Sequence, residues 1–162
     1  SAVEFALILP FMLTLYFGSI EISNLLIVDR KSTQLASTAA DLVSQKTSIS
    51  TAELDDVYDA LYAILEPYDS APAAIRITSI VANASGNATV AWSSARNMTP
   101  RSNGTTVEGL PVGLVAANNS VIMAEVSYTY TSTIGEYLDS PFTVADRFYL
   151  KPRRSLVVTK TN

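Results

Sequence analysis

Residues 5–28 read FALILPFMLTLYFGSIEISNLLIV. As an α-helix this run of about 24 residues would span roughly 36 Å, enough to cross a hydrocarbon core of about 30 Å with some tilt. Between Phe5 and Ile20 the polar content is Thr14, Ser19 and the borderline Tyr16. A helix buried in a soluble core more often alternates polar residues at helical spacing. Asp29, Arg30 and Lys31 close the run. The expectation is therefore a transmembrane helix over residues 1–28. The rival reading, a secretory signal peptide, calls for a basic segment before the apolar run and a small-x-small cleavage site after it. The sequence has neither. Pro10 lies inside the span, where it removes one backbone hydrogen bond and is expected to kink the helix. Gly18 and Ser19 offer a small surface for close helix approach.

Two carboxylates punctuate this segment. Glu4 stands at its N-terminal edge, and a carboxylate at membrane depth costs about 2.5–3.5 kcal/mol on insertion scales, which marks it as a functional candidate. From physics alone two roles are open. Glu4 can pair with the N-terminal amine of a neighbouring subunit, neutralising two charges in lipid and setting axial register, or it can sit among headgroups. Glu21 is the second intramembrane polar residue. It lies about 25 Å further along a helix, too far to share a site with Glu4. It either pairs with a partner helix or snorkels at the outer interface, and the interface is the favoured reading.

Beyond the span, Leu35, Ala39, Leu42 and Val43 fall on one helical face, with Asp41, Gln45 and Lys46 elsewhere. The first helix is expected to continue through residues 29–46 and to carry a globular domain over 47–162. Ser50 and Glu53 fit a capping box. Leu54, Val57, Tyr58, Leu61, Ile64 and Leu65 then form the apolar face of a second helix, stopped by Pro67. Strands are expected at 73–83 and 88–94, joined by a turn at Ser85, Gly86 and Asn87. Another is expected at 121–131, with Ile122, Ala124, Val126, Tyr128 and Tyr130 on one face, and another at 142–150, which residues 155–158 extend or follow. The long connection 96–119 is expected to hold a short helical turn or a packed cover at 109–117. The fold class is α+β: a long N-terminal transmembrane helix leading into a domain with a second helix packed on a small antiparallel sheet of three to five strands.

Composition limits the chemistry. The 162 residues carry 11 basic and 15 acidic side chains, net −4, with no histidine and no cysteine. Mean hydropathy is +0.24 and the pI is about 4.7. Disulfides, thiol nucleophiles, imidazole bases and His or Cys metal ligands are excluded. The acidic balance argues against nucleic acid as a partner. Glycines are scattered singly, so there is no phosphate-binding loop, and no paired-carboxylate or Ser–Lys motif stands out. No enzymatic activity, cofactor or metal is expected. The remaining clusters read as structural. Lys151, Arg153 and Arg154 form a solvated patch. Glu53, Asp55, Asp56 and Asp59 suit the start of a helix dipole. Trp92, Tyr128, Tyr130 and Tyr137 are expected in the core. The Asn-x-Ser/Thr triplets at Asn83, Asn87, Asn97, Asn103 and Asn118 follow from loop composition.

The opening SAVEFALILP resembles the start of TadE-like and TadF-like pseudopilins of the tight-adherence (Tad, or Flp) pilus system. AADLVSQ from Ala39 and Ala40 through Gln45, LPVGL at 110–114, VIMAEVSYTY at 121–130 and FYLKPRRS at 148–155 extend the resemblance to the TadE-like members. The resemblance implies a minor pseudopilin supporting biogenesis of an adhesive pilus through helix-mediated packing. It implies a basic leader removed by a prepilin peptidase, with Ser1, Glu4 and Phe5 as the processing and assembly residues. The family glutamate usually stands one position further into the mature chain than Glu4 does here. The expected native terminus is therefore at Ser1 or one residue before it. The implied partners are another pseudopilin (TadF-like), the major pilin, the inner-membrane assembly platform, the peptidase and inner-membrane lipid. The implied location is the bacterial inner membrane with a periplasmic domain, with incorporation into the extracellular pilus left open. Arg30 and Lys31 follow the span where the positive-inside rule favours the cytoplasm, so orientation rests on the resemblance. The alternative function is a pilus-tip or membrane-anchored adhesin that binds through loop 96–119. An anchored enzyme ranks third.

Overall fold

A computed structural model describes residues 1–132 and 141–162. The chain begins with one continuous helix, α1, Ala2–Ser44, which passes through Pro10 without interruption. A short strand β1, Ser48–Ser50, leads into helix α2, Thr51–Ile64. Strands β2 (Ala73–Ala82), β3 (Ala88–Arg96), β4 (Ser120–Tyr130) and β5 (Phe142–Leu150) form an antiparallel sheet in the order β3-β2-β4-β5. A last strand, β6, Thr159–Thr161, pairs in parallel with β1. The α+β architecture and the four main strands stand where the sequence placed them.

The second half of α1 forms as its pattern dictates. Glu21, Val28, Ser32, Leu35, Ala36, Ala39, Ala40 and Val43 recur at helical spacing, and all are buried. This stripe lies on β4 and β5. It packs against Ile122, Ala124, Val126, Tyr128 and Tyr130 of β4 and against Ala73, Ile75 and Ile77 of β2. Alanines at the centre of the stripe let the helix approach the sheet closely. Leu42, expected on this face, is only partly buried.

The helix α2 starts as the capping box requires. The Glu53 N–H donates to Ser50 Oγ at 3.2 Å, and the Ser50 N–H donates to Glu53 Oε2 at 2.9 Å. Lys46 Nζ, 2.9 Å from Glu53 Oε1, and then the Ser50 N–H hold this carboxyl down at about 2. A carboxyl depressed in the folded state contributes stability above its ordinary value and loses it only as pH falls through the depressed one. The cap therefore keeps its charge down to about pH 2. We expect Ser50→Ala to destabilise the domain by about 1 kcal/mol, measured by thermal unfolding at neutral pH. An unchanged midpoint would show that the cap contributes nothing. Leu54, Tyr58, Leu61 and Leu65 bury the apolar face of α2. At its far end Lys31 of α1 donates to the Ile64 and Glu66 carbonyls at 2.6 and 2.8 Å. A cation there meets carbonyls that a helix terminus leaves without partners.

The other face of the sheet carries a second, smaller core of Ile80, Val90, Val107, Val121 and Met123. Leu110, Leu114 and Val115 pack on it, so the 97–119 connection is a packed cover rather than a helix. Val90 and Trp92 are two residues apart and would share a face in a regular strand. Here they belong to opposite cores. The pairing jumps from Ser79↔Trp92 to Ile80↔Val90, leaving Ala91 as the extra residue of a bulge.

Two expectations are corrected. Residues 155–158 are not a strand. They are an irregular crossing that buries Val158, whose carbonyl accepts from Trp92 Nε1 at 2.7 Å, and the pairing strand follows at 159–161. The helix stops at Ser44 rather than 46, with Gln45 as its cap.

Candidate assembly interface

Residues 2–20 of α1 project from the domain, all exposed but Phe17 and Ile20, which are partly covered. Phe5, Leu7, Phe11, Leu15 and Tyr16 are all exposed. This bare part has about 19 residues and measures about 28 Å, close to a bilayer's hydrocarbon thickness. Among the described residues, α1 is the one helix long and apolar enough to cross a membrane. Three of its hydroxyls bond back to carbonyls of the preceding turn. Thr14 Oγ1 donates to the Pro10 carbonyl at 2.9 Å, Ser19 Oγ to Tyr16 at 2.7 Å and Ser23 Oγ to Ser19 at 2.8 Å. Pro10 has no N–H to give the Ala6 carbonyl, but the helix remains continuous across it. Gly18 has open space where a side chain would lie. The surface offered to a neighbour is apolar on all sides.

The residues singled out at the N-terminal edge lie together. The Ser1 amine stands 2.5 Å from Glu4 Oε2 of the same chain, and both groups are exposed. Phe5 follows, also exposed.

Glu21 has a different environment from Glu4. Only 4% of it is exposed, and its Oε2 accepts from the Tyr130 hydroxyl at 2.9 Å. The domain therefore reaches back over an apolar run that continues to residue 28. Tyr68 Oη reaches Asn24 Oδ1 at 3.4 Å on a neighbouring face. Ile22, Leu26 and Ile27 remain exposed on the side away from the domain. Further out, Thr33 Oγ1 donates to Asp146 Oδ2 at 3.0 Å, and Arg153 pairs with Asp41. These contacts fix how the domain sits on the rod that carries it. The alternation of β4 placed Tyr130 on the core face, but no sequence signal tied it to Glu21.

The other candidates resolve into structure. Asp55 pairs with Arg96, and Glu53 with Lys46. The acidic residues at the start of α2 form no cluster of three or more converging side chains among the described residues. Trp92, Tyr128 and Tyr130 are core residues. Tyr137 lies outside the described residues. The Asn83 side chain accepts from the Ser85 and Asn87 N–H groups. Asn97, at φ 55°, donates to the Ala71 and Ala73 carbonyls. Both asparagines thus build turns. Arg153 is tied to α1, and its N–H donates to the Ser44 carbonyl at 2.9 Å.

One cluster escaped the sequence reading. Glu125, at the middle of β4, is 6% exposed and meets Arg76 at 2.7 Å, Arg101 at 2.9 Å and Arg147 at 3.0 Å. Burial pushes its carboxyl up, but hydrogen bonds from Arg76 and Arg101 outweigh this and hold it below the usual carboxylate range. Arg76, Glu125 and Arg147 sit on one rung across β2, β4 and β5, while Arg101 comes from the covering loop. A charge at an alternating position in an apolar strand was the available signal. The ladder register that collects its partners was not legible.

Residues 1–41, nearly all of α1, match the family model described as TadE-like protein. No curated protein and no solved structure matches the chain.

Proposed function

We propose that this TadE-like protein of the Tad pilus system is a minor pseudopilin, a structural subunit that supports pilus biogenesis through helix-to-helix packing and catalyses no reaction. The observation that carries the reading is the bare apolar half of α1, continuous with a domain-bound half and lying within the segment that matches the family. Such a rod needs a hydrocarbon environment. A bilayer supplies it before assembly, and the helices of neighbouring subunits supply it afterwards. Close packing of small and apolar residues then takes the place of lipid contacts. On this reading the domain faces the periplasm from the inner membrane. The rod engages another pseudopilin, the major pilin and the assembly platform after a prepilin peptidase has cut ahead of it. Lys31 has a structural task at the end of α2, so a cation after the span is compatible with an outward-facing domain.

The test is N-terminal sequencing of the protein from native membranes of strains with and without the peptidase. A terminus at Ser1 or one residue before it, present only with the peptidase, is the expected result. The same uncleaved terminus in both strains would make the chain an ordinary single-span protein and remove the pseudopilin reading.

A further inference from the structure

We propose that the recess beside Glu125 is an anion site that takes a single oxyanion, carboxylate or phosphate in type, from the aqueous side. This inference is independent of the assembly role. Three guanidinium groups converge on one carboxylate there. Arg76 Nε meets Oε2, Arg101 Nη2 lies within 3.0 Å of both oxygens, and Arg147 Nη2 meets Oε1. A carboxylate has about four acceptor directions, and these contacts fill them. Two positive charges remain uncompensated, because among the described residues Arg76, Arg101 and Arg147 have no ion pair except with Glu125.

Two of the three guanidinium groups, those of Arg76 and Arg147, border open space. Arg76, Arg147 and Glu125 line a recess of about 430 Å³ together with Met98, Ser127 and Ala145. Arg76 is further fixed by donating from Nη1 to the Thr99 carbonyl at 3.0 Å, and Arg147 remains 42% exposed at the rim. Guanidinium groups already oriented by a buried carboxylate lose little entropy on binding, and their planar forks match an oxyanion. Asp146 also borders the recess, but its carboxylate is engaged with Thr33 on the opposite face of the sheet.

Asp146 pairs with Val126, next to Glu125, and touches Thr33, about 18 Å along α1 beyond Glu21 and about 8 Å beyond Val28. The site thus lies past the end of the apolar run, which favours an anion from water over lipid phosphate.

The test uses the full chain in zwitterionic phosphatidylcholine nanodiscs, titrated with inorganic phosphate at constant ionic strength and followed by the NMR signals of the arginine Nε–H groups. We expect a saturable shift at millimolar phosphate or below, with no matching response to chloride. Arg147→Gln should weaken it at least about fivefold, and Arg147→Lys less. Ser127→Glu, which places a carboxylate at the recess, should abolish it while the near-ultraviolet signal of Trp92 stays native. Absence of a saturable response, or an unchanged response in both Arg147→Gln and Ser127→Glu, would show that the arginines only staple the covering loop and would overturn the site. Replacing the lipid with phosphatidylglycerol should leave the titration unchanged. Competition by that lipid would assign the anion to the headgroups and overturn the aqueous source.

Discussion

Glu4→Ala is expected to leave the domain folded and to reduce piliation by at least about tenfold. The first half follows from position. Glu4 lies on the bare part of α1, well before Glu21, the first side chain of the helix that the domain buries. Nothing in either core depends on it. The second half follows from the cost of charge in hydrocarbon. A carboxylate at membrane depth costs about 2.5–3.5 kcal/mol, and an amine beside it meets a similar penalty. Each makes the other tolerable. In a packed array of such helices, a carboxylate can serve the amine of a neighbour instead of its own, and the exchange would fix the axial register between rods. Since each 1.4 kcal/mol is a factor of ten, loss of one such contact per subunit is enough to suppress assembly. The measurement is the number of pili per cell by electron microscopy, with the thermal midpoint of the purified variant alongside. Wild-type piliation with a wild-type midpoint would remove the charge-pairing role. Glu4→Gln separates charge from shape: it should assemble as poorly as the alanine variant.

Glu125→Gln should destabilise the domain by about 3 kcal/mol, because removing one partner of a buried ion pair leaves the other charges uncompensated. Here three guanidinium groups would remain, those of Arg76 and Arg101 mostly buried. A loss of that size lowers the midpoint by roughly 10 °C in a domain of this length. The covering loop should loosen as well, since Arg101 is its charged tie to the sheet. The wild type should show the same dependence on acidification. Glu125 is held below the usual carboxylate range in the folded state. Its contribution is therefore complete above that range and is lost as pH falls through the depressed value. In Glu125→Gln this part of the acid sensitivity should disappear. Thermal unfolding from pH 7 to pH 3, followed through Trp92, measures both effects. A variant within about 1 kcal/mol of wild type at pH 7 would show that the arginines are well enough solvated to need no counter-charge.

Much of this molecule was legible in the sequence, because its strongest signals are local and periodic. The predominantly apolar run from Phe5 determines a membrane-length helix, since only a helix satisfies its own backbone in hydrocarbon. The stripe through Leu35, Ala39 and Val43 carries that helix onto the domain, and Ser50 with Glu53 begins α2. The alternation from Ile122 to Tyr130 sets the inner face of β4. Each of these rests on residues within a turn or two of one another, so chain order and spacing contain the information.

What the sequence left open involves residues far apart. The β1–β6 ladder joins two three-residue strands 111 positions apart, too short to carry a pattern of their own. The bulge at Ala91, which sends Val90 and Trp92 to different cores, follows from the register with β2. Glu21 reads alone as a carboxylate in a membrane span. Only the return of β4 gives it Tyr130 and a place under the domain. Glu125 likewise reads as one charge in an apolar strand until the ladder brings Arg76 and Arg147 to its sides and the cover adds Arg101. The helices and the four long strands were decided by neighbours in sequence. The buried charges were decided by neighbours in space, because the strength of a charge pair depends on distance and local dielectric, and folding alone sets both.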